Sequence, residues 1–306
     1  MLNDEGPTPR ISVVIPCFND GAYVGDAVAS VRESEDVAVI VVDDCSTDPL
    51  TASVAEELNR HPAVTVLRHS HNQGVAAAMD TGIRSARTPY VFFLGADDLA
   101  EAGALAPMAD DLDSDDDLGV VWGAYSLFGA RTGSVRVPPF DPWQVTYVNR
   151  WPGVAMVRVR DYVRVGGFDP SALFEDWDLW LSFAEAGIKG LAREVPPTFR
   201  YRIHPGTSRR HSRGTEQFGR EYRSLRRRHP ALYARRRELS GKSPLGARTK
   251  MRERLGLWLL LVTPGRWRWT HSVVGDAVRR VRAAGGHGGS EAAGTTRMAA
   301  EEPTDT

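Results

Sequence analysis

Short apolar runs alternate with helix-like segments over the first hundred residues. Four runs are rich in β-branched and aromatic residues, which favours strands buried on both faces of a parallel sheet. These runs lie at residues 11–15, 37–42, 64–67 and 90–94. Segments with capping and turn residues separate them. The alternation predicts a doubly wound α/β fold, in which helices flank a mixed, mostly parallel sheet.

The pattern is less regular over the next hundred residues. Strands are predicted at 120–128 and 154–159, and an extended segment at 195–203. The stretch 174–187 predicts a helix. Six of the eight residues at 110–117 are aspartates, which predicts a solvated acidic loop.

The two ends of the chain differ strongly in charge. Residues 1–199 carry 14 Lys+Arg against 30 Asp+Glu, whereas residues 200–306 carry 24 against 9. This asymmetry predicts an acidic body followed by a basic helical extension over 206–284. Such an extension suits anionic lipid, another polyanion or the acidic body itself. No nucleic-acid-binding motif accompanies the charge, so nucleic acid is not expected as a partner. Residues 1–9 are predicted to be flexible and 285–306 to form a disordered tail.

The sequence favours a cytoplasmic location. Two cysteines imply no disulfide framework, and the N-terminal residues lack the apolar core of a signal peptide. The apolar run 255–262 is shorter than the roughly 20 residues that a membrane span needs. It is followed by Arg266-Trp-Arg-Trp269, a composition that suits a segment lying at a membrane surface. A helix packed on the main domain is the alternative, so a peripheral position at the inner face of the plasma membrane stays open.

Four polar clusters follow the four apolar runs, at residues 17–20, 43–48, 72–74 and 97–98. If the runs form one parallel sheet, these clusters converge at one edge, where ligands bind in such folds. Two adjacent aspartates after a buried strand are costly unless a cation compensates them, although an isolated pair is more often a solvated turn.

Three of these positions suggest chemistry directly. Asp44 could accept the ring N–H of a pyrimidine base, and Gly74, just before a helix, would let backbone N–H groups approach phosphate. Asp98 would hold Mg²⁺ or Mn²⁺ in contact with a diphosphate. Neither a phosphate-binding loop of the P-loop type nor a dinucleotide-binding glycine motif is present.

Seven segments, taken in this order and spacing, resemble the family 2 glycosyltransferases of the GT-A fold. They are ISVVIPCFND at 11–20, VVDDCSTD at 41–48, NQGVAAAMDTG at 72–82, YVFFLGADD at 90–98, GGFD at 166–169, EDWDLWL at 175–181 and YRIH at 201–204. The resemblance covers residues 10–205 and implies a nucleotide-binding half at 10–98 and an acceptor half at 99–205. It also implies a nucleotide-diphosphosugar donor, a divalent metal and direct displacement at the anomeric carbon with inversion.

The resemblance also implies roles in donor binding. Asp44 would meet the nucleobase, uracil or thymine, in a pocket walled by Pro16 and Phe18, with Asn72 and Gly74 in the same donor-binding region. Asp97 and Asp98 match the metal-binding motif. Asp98 would be the direct ligand and Asp97 would bind ribose or a metal-bound water, while His204 matches a position near the diphosphate or metal.

Asp176 matches the catalytic base that takes the proton of the acceptor hydroxyl. From the residues alone, Asp176 could equally be a helix cap and His204 a surface histidine. Trp177 and Trp180 could stack on a sugar or belong to the core.

The chain departs from the family pattern at three places. Gly95 stands where many members carry an aspartate, and residues 78–80 read Ala-Met-Asp where an arginine is usual. The Gln-x-x-Arg-Trp pattern of processive synthases is absent near Asp176.

The sequence thus predicts transfer of one sugar from a UDP- or dTDP-sugar to a hydroxyl acceptor. That acceptor would be a cell-surface glycan precursor, a lipid-linked saccharide or a small metabolite. A non-catalytic sugar- or nucleotide-binding module and a nucleotidyltransferase are the alternatives.

Overall fold

The computed structural model describes residues 9–205 and 209–262, and for residues 209–216 it describes the backbone. The strands are β1 Ile11–Cys17, β2 Val37–Asp43, β3 Val64–Arg68, β4 Tyr90–Phe93, β5 Leu99–Ala100, β6 Leu118–Gly123, β7 Tyr125–Gly129, β8 Gly133–Val135, β9 Met156–Arg158, β10 Lys189–Arg193 and β11 Phe199–Ile203. The helices are α1 Gly21–Ser30, α2 Pro49–Leu58, α3 Val75–Ser85, α4 Leu105–Ser114, α5 Val159–Arg164, α6 Glu175–Glu185, α7 Arg209–Arg228, α8 Pro230–Ala234, α9 Arg236–Lys242 and α10 Ala247–Val262.

The main sheet has seven strands in the order β10-β6-β9-β4-β1-β2-β3. Its strand pairs are parallel except those of β9, which runs antiparallel to both β4 and β6. Strands β1 and β4 at its centre are buried along nearly their whole length, as expected for a sheet covered on both faces. The predicted mostly parallel, doubly wound sheet is therefore confirmed.

A second sheet of four strands, in the order β5-β11-β7-β8, lies beyond the first. The single strand predicted at 120–128 is wrong, because the chain passes from β6 in the main sheet to β7 in the second sheet. A Cβ atom at Gly123 would lie 2.1 Å from the Thr198 side chain, so a glycine is required where the chain changes sheets. At this point the Ala124 N–H donates to the Arg193 carbonyl at 2.9 Å, and the Ala124 carbonyl accepts the Thr198 N–H at 2.8 Å.

The acidic stretch 110–117 is not a loop throughout, since its first half completes α4. Leu105, Met108, Ala109 and Leu112 are buried at helical spacing, and this apolar face decides the structure. Arginines from distant segments bind its aspartates; Arg10, for example, lies 2.7 Å from Asp110 and 2.6 Å from Asp113. The extended segment predicted at 195–203 is likewise shorter, because prolines 196 and 197 cannot donate to a ladder before β11 begins.

The predicted basic extension is helical over the described residues 209–262, and the rest of it lies outside them. Its helices pack on the acceptor half, with Tyr222, Leu225, Leu232 and Leu257 buried in the common core. Tyr222 donates a hydrogen bond to the Thr146 carbonyl at 2.9 Å. In the described part of the extension, the helices therefore pack on the main domain with one side, and contact of the other side with a membrane stays a prediction.

Among the described helices, none combines the length and the apolar character that a crossing of the bilayer requires. The Arg-Trp segment at 266–269, the predicted tail at 285–306 and residues 1–8 lie outside the described residues. The domain boundaries at 9, 205 and 284 stay predictions.

Candidate active site

The loops that follow β1 and β2 are bound to each other at one edge of the main sheet. Asn19 Oδ1 accepts hydrogen bonds from the N–H groups of Thr47 and Asp48 at 2.8 and 2.9 Å. Ser46 Oγ accepts the Asn19 N–H at 2.9 Å. Because β1, β2 and β4 are parallel, the loop after β4 emerges at the same edge. The predicted convergence of these clusters is thus what the structure contains.

Asp44 holds the loop that precedes α3. Its side chain is buried, and its two oxygens accept the N–H groups of Gln73 at 2.8 Å and Gly74 at 2.7 Å. Asn72 Nδ2 donates to the Asp44 carbonyl at 3.2 Å. Gly74 begins the helix with φ +89°, a conformation that favours glycine. Three predicted site residues therefore lie together, with the Gly74 N–H donated to Asp44; the direct contact of Asp44 with a base stays a prediction.

His69 is a residue of this region that sequence reasoning missed. Its Nδ1 lies 2.7 Å from Asp44 Oδ1, and its Nε2 lies 2.9 Å from Thr81 Oγ1 on α3. The imidazole therefore connects Asp44, at the end of β2, to helix α3. Its position directly after β3, at the carboxyl end of a parallel strand, is the signal that could have found it.

Asp98 is a deeply buried carboxyl group at the same edge. Its exposed fraction is 3%, and its Oδ1 accepts the backbone N–H of Arg202 at 2.9 Å. Burial, and secondly the charge of Asp97, raise the pKa of Asp98 to about 8. Burial and the charge of Asp97 also raise the pKa of Asp20, at the start of α1. Acids thus lie close together at this edge, where an external cation would stabilise their charged forms.

Strand β11 brings two further residues to these acids. It pairs with β5, the short strand that directly follows Asp98, and so carries Arg202 and His204 past the carboxylates. His204 Nε2 lies 2.7 Å from Asp97 Oδ2, and its predicted role near the diphosphate or metal stays a prediction.

Arg202 is a second residue that sequence reasoning missed. Its Nε donates to the Asp97 carbonyl at 2.8 Å. Its guanidinium lies over the rings of Phe128 and Tyr23, at 4.3 and 4.7 Å from their centroids. Arg202 places a cation beside the acids in a chain that lacks the usual arginine at 78–80. Its position inside the YRIH segment is the sequence signal that could have identified it.

Gly95 leaves space between the two carboxylates. A Cβ atom there would lie 2.9 Å from Asp98 Oδ2 and 3.2 Å from Asp97 Oδ1. Among the described side chains, no group of three or more His, Cys, Asp or Glu is arranged to hold a metal ion. Mg²⁺ typically binds one or two carboxylates and takes its other ligands from substrate phosphates and water. Two neighbouring carboxylates, Asp97 and Asp98, suit that kind of cation, and the metal-binding role of Asp98 and His204 stays a prediction.

Asp176 lies in the first turn of α6. Its Oδ2 accepts a hydrogen bond from Asn149 Nδ2 at 2.9 Å, and its Oδ1 accepts the Trp177 N–H at 2.7 Å. The N-cap position belongs to Phe174, so Asp176 is not the N-cap residue, although it binds one N–H of the first turn. Trp177 and Trp180 are buried, and the core alternative holds for both.

The segment 149–155 connects Asp176 to the edge that carries the other acids. A Cβ atom at Gly153 would lie 3.5 Å from the Asp176 Cβ. Ala155 accepts the N–H of Phe93, the last residue of β4, at 2.9 Å, and Pro152 accepts the Trp122 indole N–H at 3.2 Å. Asp176 therefore lies against Gly153, two residues before the residue that bonds the end of β4, and its position at one edge with Asp98 stays a prediction.

Two apolar side chains complete the donor side of this edge. Pro16 is half-buried in β1, where it pairs with Val42. Phe18 follows β1 and is 44% exposed, an unusual position for a phenylalanine in a chain whose core rings are nearly all buried. Pro16 lies in the strand next to β2 and Phe18 directly after that strand, and the base pocket that they would wall stays a prediction.

A mostly parallel sheet with acids at its carboxyl edge and one antiparallel strand toward the second half defines a GT-A fold. The solved structures it resembles agree. The chain covers 72% of S. aureus TarS in complex with UDP-GlcNAc, with 82% of its own length, a TM-score of 0.62 and 16% identity. The chain also resembles the mannosyltransferase PcManGT from Pyrobaculum calidifontis in complex with GDP-Man and Mn²⁺. That match covers 90% of this chain and 80% of PcManGT, with a TM-score of 0.57 and 19% identity.

The family model "Glycosyl transferase family 2" matches residues 12–173. The chain belongs to this family. It is 30% identical over 202 residues to the pre-mycofactocin glycosyltransferase of Mycobacterium tuberculosis, a match that covers 60% of this chain and 41% of that protein. The chain spans less than two thirds of the length of the curated relatives it matches first.

Proposed function

We propose that this chain is an inverting glycosyltransferase that moves one sugar from a UDP- or dTDP-sugar to an acceptor hydroxyl. The observation that carries the proposal is Asp98, a buried carboxyl with a raised pKa beside a second acid, at the sheet edge where Asp44 also lies. Acids arranged in this way favour a ligand that arrives with a divalent cation.

The donor would bind with its diphosphate near the two aspartates. Asp98 and His204 would hold Mg²⁺ or Mn²⁺, with Asp97 toward the ribose or a metal-bound water. When bound, the cation supplies positive charge to the diphosphate leaving group. Arg202 adds a fixed positive charge on the same side, held over two aromatic rings.

The base would lie between Pro16 and Phe18. Phe18 offers an exposed ring for stacking on a planar base. Asp44 Oδ1 already meets the Gln73 N–H and His69, but Asp44 Oδ2, which accepts the Gly74 N–H, has a second lone pair that can accept the ring N–H of uracil or thymine. The loop that Asp44 holds, with Asn72 and Gly74, would form the floor of this pocket.

Asp176 would act as the general base. In the reaction, the acceptor oxygen bonds to the anomeric carbon as the bond to the diphosphate oxygen breaks, so the configuration inverts. Asp176 takes the proton that the acceptor hydroxyl loses, a role that contributes about 10²–10⁴-fold in enzymes of this kind. The hydrogen bond from Asn149 orients the carboxylate for that transfer.

The solved relatives support a nucleotide-sugar donor without choosing its base, since their titles name UDP-GlcNAc and GDP-Man. We propose a cell-surface glycan precursor, a lipid-linked saccharide or a small metabolite as the acceptor, and a cytoplasmic enzyme at the inner face of the membrane. A non-catalytic binding module is the second candidate, because Gly95 removes a carboxylate that many members carry. A nucleotidyltransferase is disfavoured, because residues 16–21 lack a glycine-rich loop with a lysine or arginine.

The test measures release of nucleoside diphosphate from UDP- and dTDP-sugars with Mn²⁺. We expect release by the natural chain, and a loss of about 10²-fold or more in Asp98→Ala. Asp176→Asn should keep UDP binding but lose transfer. Asp169→Asn, a change at an acid outside this edge, is the control. A chain that binds UDP but releases none, with Asp98→Ala unchanged, is a binding module; tight GDP binding without UDP binding would refute the pyrimidine assignment.

A further inference from the structure

Four apolar side chains form a stripe along the outer face of α10. They are Met251, Leu255, Trp258 and Val262, spaced by four, three and four residues, so they lie along one side of the helix. Their exposed fractions are 66, 53, 57 and 51%. The opposite side of the helix, with Glu253 and Leu257, is buried. The four residues are called the α10 stripe below.

Basic residues border the α10 stripe on both sides. At about 100° per residue, Arg248 and Arg252 lie along one side of the stripe and Arg254 along the other. All three are exposed. The acid of this helix, Glu253, is 1% exposed and pairs with Arg150 at 2.7 Å and with the still exposed Arg252 at 3.3 Å, so it is turned into the protein. The charge that α10 presents to its surroundings is therefore positive.

We infer that the α10 stripe is a docking surface for an anionic lipid bilayer. A helix with an apolar face, a tryptophan within it and arginines at its borders lies in the interface of a membrane, where the apolar side chains enter the lipid and the cations meet headgroups. The stripe spans about 16 Å of helix axis, which suits a helix lying along the surface. The inference concerns where the proposed enzyme works, and it rests on α10 rather than on the proposed chemistry.

Charge favours a bilayer over two other occupants. A second copy of this chain would bring the two sets of arginines together, which like charges oppose. Residues 263–282 add five arginines and one aspartate to the sequence, so a segment of this composition gains nothing electrostatically from covering the stripe. An anionic bilayer, in contrast, satisfies the apolar residues and the arginines together.

The test is cosedimentation of the full chain with vesicles of phosphatidylcholine alone or mixed with one quarter phosphatidylglycerol. We expect binding to the anionic vesicles, weakened by high salt, and little binding to the neutral ones. Leu255→Ser with Trp258→Ser should weaken that binding at least about tenfold, because exposed apolar area is lost without disturbing the core. Leu50→Ser with Val163→Ser, which removes apolar side chains of 50 and 48% exposure elsewhere, should leave it unchanged.

Arg248→Gln with Arg252→Gln should reduce the preference for anionic vesicles. Equal partition of the natural chain and the α10-stripe variant would overturn the inference, and so would equal binding to neutral and anionic vesicles. A dimer of the natural chain that becomes a monomer in the stripe variant, without vesicle binding, would assign the surface to a second copy instead. Release of nucleoside diphosphate, measured without vesicles, should be unchanged in all these variants, so a failure here is distinct from a failure of the proposed reaction.

Discussion

Two regions of the molecule bury acidic side chains to a similar extent but surround them with different partners. Between the acceptor half and the C-terminal helices, Asp178 lies 2.8 Å from Arg228 and 2.9 Å from His229. Glu253 lies 2.7 Å from Arg150. At the sheet edge, Asp98 accepts the backbone N–H of Arg202, and burial and the charge of Asp97 raise its pKa. In the first region the protein supplies the compensating cation.

The difference separates a structural use of buried charge from a functional one. A buried ion pair with good geometry joins two elements, and removing one partner leaves the other charge stranded. A buried acid without such a pair is costly in the free protein, but it is ready to bind a cation that enters with a ligand. The acids at the C-terminal helices and those at the sheet edge are therefore distinguished by their partners. Three experiments address that difference.

The largest expected effect is the loss of a structural partner. Arg150→Met removes the closer of two arginines at the buried Glu253, with Arg252 remaining at 3.3 Å, and should lower the free energy of unfolding by about 3 kcal/mol. Urea denaturation measures this change. The control is Arg235→Met, which breaks the half-exposed Arg235–Glu238 pair and should cost less than about 1 kcal/mol. Equal effects of the two substitutions would contradict the structural role of the Arg150 pair.

The next effect has the opposite sign and is found at Asp98. Its pKa of about 8 in the folded chain exceeds its ordinary value of 3.8, so between these values the folded state holds a proton that the unfolded state has lost. Stability of the metal-free protein should therefore fall as pH rises from 5 to 8, by about 2–3 kcal/mol. Asp98→Asn should flatten this dependence and raise stability at pH 8.5. Thermal unfolding across this pH range measures it.

Mn²⁺ with UDP should restore stability at pH 8.5 in the natural chain and not in Asp98→Asn. If the variant retained the natural pH dependence, Asp98 would not be the group that titrates.

The smallest expected effect concerns Arg202. Arg202→Gln removes the guanidinium beside Asp97 and should weaken binding of UDP with Mn²⁺ by about tenfold, as for one charge-assisted contact. Calorimetry measures the affinity. Arg200→Gln is the matched control, because Arg200 also stacks on Phe128 but makes none of these contacts with the acids. Similar losses in both variants would reduce the role of Arg202 to packing.

The parts of the site that follow regular strands could be predicted from the sequence. Alternating apolar runs predict the sheet, and a parallel sheet brings the ends of β1, β2 and β4 to one edge. The position of Asp44 and Asp98 at that edge could therefore be predicted. His69 also follows a parallel strand of this sheet, but its contacts with Asp44 and Thr81 cannot be read from local periodicity. Arg202 could not be found from the main sheet, because its position depends on how β11 pairs in a second sheet. The error at 120–128 has the same origin, since Thr198 is distant in sequence from the glycine that it contacts.

The pairing of β11 with β5 bears on how the enzyme is made. During synthesis the first hundred residues leave the ribosome with Asp98 already in place, but the strand that donates its backbone N–H to that acid is translated about a hundred residues later. The nascent nucleotide half therefore stays unfinished until the acceptor half has emerged. A chain assembled in this order completes the surroundings of Asp98 only when nearly all of residues 10–205 have been made, so a chain interrupted earlier lacks the strand that contacts this acid.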